Sequence, residues 1–166
     1  MEKKKRRWGD RKDGVLLRDL DGMHFITPLI YPNRCDNEAY LSETIDLTNM
    51  NAYLEKKNAE HPDFPYTMFH IIVAALIKTI TLRPKMNRFI ANKNFYQRNG
   101  VSASFVVKKQ FADEAAEALA VVRGKDESTL DTIHEDLRHQ IMDCKDMTKT
   151  DTSTDFMDIF NRMPRF

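Results

Sequence analysis

The run Thr67-Met-Phe-His-Ile-Ile-Val-Ala-Ala-Leu-Ile-Lys-Thr-Ile-Thr-Leu-Arg-Pro84 constrains this chain more than any other stretch. It reads as a helix capped by Thr67 and apolar on nearly every side. Pro84 stops it, because proline lacks an amide donor and disfavours helix just before itself. A helix with so little polar surface needs cover on most of its circumference. A sheet must lie on one face and further chain on the other. Its longest apolar run, Ile71 to Ile77, is too short to cross a bilayer, so no transmembrane segment is expected.

The flanking sequence supplies the rest of a layered domain. Phe25 to Tyr31, with Pro28 and Pro32, reads as an edge strand or an extended segment. Ser42 to Leu47 alternates polar and apolar, with Ile45 and Leu47 on one face, the pattern of a half-buried strand. Thr48 then caps a helix to about Glu60 that buries Met50, Tyr53 and Leu54. Arg88 to Phe95 and Val101 to Val107 read as strands. Asn99-Gly100 between them has the chemistry of a type I′ hairpin turn. Glu117 to Val122 suits a strand or a short helix, ended by Gly124. Ser128 to Asp131 forms a capping box, opening a helix to about Asp143 with Leu130, Ile133, Leu137 and Ile141 buried. Phe156 to Met163 reads as a short amphipathic helix. Its apolar side chains, with Phe166, imply an interface.

The expected fold is an α/β sandwich with a mixed or antiparallel sheet and helices mainly on one face. Three regions are expected: a basic arm over residues 1–22, a domain over 23–145, and a linker with a terminal helix over 146–166. Residues 1–12 hold seven Lys/Arg against two Asp/Glu, whereas the whole chain carries 26 against 25. The body therefore lacks the basic surface of a nucleic-acid binder, and no nucleic-acid partner is expected. Lys3, Lys4, Lys5, Arg6 and Arg7 could make a weak polyanion contact, although a solvated arm is the commoner outcome for such a run. No secretory signal is visible, and a cytoplasmic setting is expected.

Cys35 and Cys144 match no zinc or redox spacing, and no metal-ligand cluster or phosphate loop is evident, so no metal is expected. The nine methionines read as core filling. His70 reads as a satisfied core or cap-region histidine. His134 and His139, five apart, do not share a helix face and read as surface or helix-flank groups. His24 and His61 show no acid or nucleophile partner. No residue has both the geometry and the partner of a general base.

Several connected pieces resemble one family. They are Thr44-Ile-Asp-Leu-Thr48 before a helix, the apolar helix itself, Arg83-Pro-Lys-Met-Asn-Arg-Phe89, and Val101-Ser-Ala-Ser-Phe-Val-Val107. In order and spacing these resemble the N-terminal half of the chloramphenicol acetyltransferase-like superfamily, especially the catalytic domain of 2-oxo acid dehydrogenase acyltransferases. The resemblance implies a fold incomplete at its C-terminus and a coenzyme A thioester as co-substrate, with no covalently bound cofactor. It also implies a homo-oligomer, a trimer by family pattern. The family's general base is the histidine of a His-x-x-x-Asp-Gly motif. Here His139-Gln-Ile-Met-Asp143 is followed by Cys144, so no catalytic residue is assigned and the chain is expected to be inactive alone. By the same resemblance, Cys35 is a candidate for the wall of the substrate channel. Ser102 and Ser104 are candidates because they sit on a narrow strand where a ligand could approach. A non-catalytic relative used for assembly is the alternative reading.

Overall fold

A computed structural model describes residues 6–110, 112, 113, 115–146 and 163. In chain order it contains β1 (Gly14–Leu16), α1 (Gly22–Ile30), α2 (Thr48–Lys57), α3 (Met68–Leu82), β2 (Arg88–Ala91), β3 (Asn94–Arg98), β4 (Val101–Lys108), β5 (Glu117–Gly124) and α4 (Leu130–Lys145). Short 3-10 turns cover Arg34–Asn37 and Pro84–Asn87. The strands form two antiparallel sheets, β1-β3-β2 and β4-β5. The expected α/β arrangement is therefore present, divided between two small sheets. The expected terminal helix lies outside the described residues, apart from Met163.

The core forms where α3 and α4 meet the β4–β5 ribbon. The ribbon register pairs Ala103 with Val122, Phe105 with Ala120, and Val107 with Ala118. These residues occupy one face of the pleat, the other carrying Ser102, Ser104, Val106 and Leu119. The buried set joins Val73 and Ile77 of α3, Val122 of β5, and Ile133 and Leu137 of α4. Burying a side chain of this size contributes about 1.5–3 kcal/mol, so these few contacts dominate the local stability. Alanine at 118 and 120 keeps the inner face low, which lets α4 lie close against β5.

Several sequence expectations are corrected by the structure. Phe25 to Tyr31 is helical rather than extended. The Asp21 carboxylate accepts the His24 amide (3.0 Å) and so caps α1, while Pro28 removes only one internal donor. Ser42 to Leu47 forms no strand, and Ile45 is 68% exposed. Alternation alone fails there because, among the described residues, no neighbouring strand pairs with the segment. Thr48 is the first residue of α2 rather than its cap. The Asp46 carboxylate holds both its amide (2.9 Å) and its hydroxyl (2.6 Å). No residue of α2 is fully buried. Met50 and Leu54 are half-buried, and Tyr53 is exposed. The capping pair of α4 is shifted by one position, with the Thr129 hydroxyl accepting the Thr132 amide at 3.2 Å. Leu130 and Ile141 are only half-buried beside Ile133 and Leu137.

The hairpin is also displaced. Asn99-Gly100 connects the two sheets, because β3 pairs with β2 and β1, not with β4. The tight turn is Asn92-Lys93, with φ of 47° and 62°, the double left-handed geometry of a type I′ turn. Lysine there bears a Cβ penalty that glycine would not. Lys93→Gly is expected to raise stability by roughly 0.5–1 kcal/mol, read as an increased urea midpoint at unchanged slope. In contrast, Gly14 has no freedom to change. A Cβ there would lie 2.8 Å from Phe89 Cε1 and 3.0 Å from the Gln97 carbonyl oxygen.

Candidate functional site

Where α3 and α4 approach the segment before Thr67, the structure assembles a cluster the sequence does not announce. The Thr67 amide donates to His70 Nδ1 (3.0 Å), and the Thr67 hydroxyl lies 2.8 Å from the same nitrogen. His70 thus does for α3 what Glu or Gln does in a capping box. It is 3% exposed, as a core histidine should be, but Nε2 has no partner, so it is only half satisfied. His134 is 4% exposed, a correction to its reading as a surface residue. Its Nδ1 is likewise buried without a partner.

The two rings lie 4.8 Å apart between centroids. Tyr66 stacks on His134 at 3.7 Å and 12°, and Phe64 stands 5.1 Å from it. The Tyr66 hydroxyl donates to Asp131 Oδ1 (2.9 Å), which also accepts from Lys57 Nζ (2.7 Å). The ammonium of Lys57, then the Tyr66 hydroxyl, holds the Asp131 carboxyl below its ordinary pKa. Burial raises the Tyr66 phenol, and the Asp131 carboxylate raises it further. Burial lowers both imidazoles, and for His70 the neighbouring His134 adds to the effect. Both are therefore neutral at pH 7. The arrangement is a proton-poor aromatic plug. The Thr67 hydroxyl reaches His70 Nδ1, but that nitrogen already accepts the Thr67 amide in the helix cap, and the Tyr66 hydroxyl is committed to Asp131, so neither makes a pair with a free ring nitrogen.

A surface cleft of about 370 Å³ lies elsewhere, between the segment after β1 and the start of β2. His24 lines it and, contrary to the sequence reading, has an acid partner. The Asp21 carboxylate sits 2.6 Å from His24 Nδ1. Spacing of three residues at a helix start was the available signal. The hydrogen bond from the His24 amide, then that from its ring, lowers the Asp21 carboxyl pKa. Arg7, Arg18, Lys85 and Arg88 also line this cleft, but Asp19 and Asp21 share its wall, and Asp10 Oδ1 takes Arg18 Nη2 at 3.0 Å. The lining thus keeps an excess of positive charge, four cationic side chains against two carboxylates, which the Asp10–Arg18 pair reduces.

The residues singled out from sequence are not brought together. Cys35 is exposed in its 3-10 turn, with Sγ 3.8 Å from Asp36 Oδ1. Ser102 and Ser104 stand on the outer ribbon face, opposite Arg123 and Val121. No hydrogen bond joins Cys35 to either serine among the described residues. His139 and Asp143 lie on the exposed side of α4, as expected of a chance string. Cys144 is half-buried at its end. Arg6 spends its guanidinium on the Asp10 carbonyl (3.0 and 2.9 Å), and Lys3, Lys4 and Lys5 lie outside the described residues. Among the described residues no group of three metal-ligating side chains exists, and no helix is long and apolar enough to cross a membrane.

The packing of α3 and α4 on the antiparallel β4–β5 ribbon, together with the separate β1-β3-β2 sheet, makes an α/β fold. A solved structure of a probable dihydrolipoamide acetyltransferase from Listeria monocytogenes shares that fold at a TM-score of 0.53, with 15% sequence identity. The match covers 86% of this chain and 59% of the other, so this chain spans little more than half the length of that protein. No family model matches the sequence, and no curated protein does.

Proposed function

We propose that this chain forms the N-terminal part of a coenzyme A-dependent acyltransferase scaffold of the 2-oxo acid dehydrogenase type. In that role it supplies fold, channel wall and subunit contact, while the proton-handling imidazole comes from elsewhere or is lost. Cys35, Ser102 and Ser104 remain candidates for the channel wall, a coenzyme A thioester is the co-substrate, and the assembly is a homotrimer. The observation that carries this reading is the fold match itself, which runs over most of this chain and only part of its neighbour. Exposed Phe69, Ile72 and Leu76 on α3 add to it, since an apolar helix face of this length suits cover by further chain or another subunit.

No residue of the described cluster offers an imidazole nitrogen both free and accessible, so the reading carries a sharp expectation. Incubated with acetyl-coenzyme A and dihydrolipoamide, the chain should release free coenzyme A no faster than buffer. Chromatographic detection of the released thiol checks this. Chain-dependent release above buffer would overturn the proposal, because the active group would then belong to this chain; persistence in a variant carrying both His139→Gln and His70→Gln would show that it is neither of those histidines.

A further inference from the structure

We propose that His70 and His134 form an acid-operated latch that holds α4 and the Tyr66 segment onto α3. This goes beyond the acyltransferase reading and does not depend on it. The observation is geometric. Two imidazoles from different helices meet with centroids 4.8 Å apart, each nine-tenths or more buried, each with an unpartnered nitrogen. Because the Thr67 amide donates to His70 Nδ1, the neutral ring carries its proton on Nε2. That N–H has no acceptor in the plug. Buried polar nitrogens without partners normally demand a reason.

Protonation changes the balance abruptly. A proton on His70 Nδ1 would oppose the Thr67 amide and break the cap of α3. A proton on His134 would place a cation among Phe64, Tyr66 and a second imidazole. The charged surroundings do not cancel this. On α4, Asp131 and Glu135 favour a charged His134, whereas Arg138 on α4 and Lys57 on α2 oppose it. Asp131 is already engaged by Lys57 and Tyr66. Toward His70, Tyr66 from the preceding segment and His134 from α4 are the only titratable groups in ring contact among the described residues. No charged side chain of α3 is placed to compensate.

The sign follows from linkage. Burial depresses both imidazoles below their unfolded values, so the open state binds more protons and closure weakens as pH falls below the ordinary histidine range. Above it the latch is fully closed. Opening would free the α3 face that α4 covers, while the β2–β3 hairpin, which belongs to the other sheet from the ribbon that α4 packs on, would stay intact.

Hydrogen exchange followed by mass spectrometry at pH 7.5, 6.5 and 5.5, corrected for intrinsic rates, tests the latch on the intact chain. In wild type, protection of α4 and of residues 66–72 should fall below roughly pH 6.5, by up to about tenfold per pH unit for each histidine protonated on opening and so up to about a hundredfold for both. Protection of the β2–β3 hairpin should hold. The double variant His70→Gln with His134→Phe should show a flat response, because glutamine can still reach the Thr67 amide and phenylalanine can still stack on Tyr66. Exposed His139→Gln should behave as wild type. Unchanged wild-type protection, simultaneous loss in the hairpin, or an identical acid response in the double variant would each overturn the latch. If the double variant does not fold, imidazole carbon resonances of the wild type decide. Both rings should titrate below the ordinary histidine value, and ordinary titration would sink the proposal.

Discussion

Replacing Leu137 by alanine will lower the unfolding free energy by about 3 kcal/mol, within the 2–5 kcal/mol seen for buried leucines. Leu137 is 0% exposed and lies in the cluster that joins α3, β5 and α4. Truncation removes transfer free energy and leaves a cavity that three different elements would have to close together. Small domains hold only about 5–15 kcal/mol in all, so the urea midpoint should drop conspicuously. Leu119→Ala is the control. Leu119 lies on the outer ribbon face, opposite Val106, and is 53% exposed, so its loss should change stability much less. Comparable losses at the two positions would mean that the ribbon buries the opposite face to the one described.

A second large effect is expected from adding atoms rather than removing them. A Cβ on Gly124 would collide with Cγ2 of Ile77, a branched, fully buried side chain with no free end to swing aside. Gly124→Ala should therefore cost about 1–3 kcal/mol through overpacking, the reverse of the usual gain when a strand glycine acquires a side chain. The diagnosis is checked by coupling. In an Ile77→Ala background the same substitution should cost markedly less, because the colliding methyl is gone. Equal costs in both backgrounds would place the strain elsewhere.

Both predictions concern positions whose role was partly legible beforehand. Leu137 belongs to an apolar stripe at helical spacing, and Gly124 stands at a strand end. Helices α3 and α4 were readable for the same reason: each has a capping signal and a long periodic face, and α3 also has a clear stop at Pro84. His134 was misread, although it stands four residues after Leu130 and three before Leu137, on that very stripe. What buries it, Tyr66 and Phe64, arrives from a segment far away in sequence. Local pattern cannot announce such a partner. Ile45 and Leu47 failed in the opposite sense, since their alternation was real but no strand came to pair with them. The turn was misplaced because Asn99-Gly100 has the better composition, whereas Asn92-Lys93 has the geometry that the β2–β3 register requires. Of the site itself, Cys35 rested on resemblance and Ser102 and Ser104 on the narrowness of their strand, and nothing in the described packing draws them to one place.

The pairing of β1 with β3 has a consequence for biosynthesis. Gly14 lies opposite Arg98, and the side-chain Nδ2 of Asn99 donates to the Lys12 carbonyl oxygen across 87 positions of sequence. During translation at about 5–20 residues per second, Val15 and Leu16 must wait on the order of ten seconds before their partner strand leaves the ribosome. For that interval the nascent chain presents these two apolar side chains with no strand beside them.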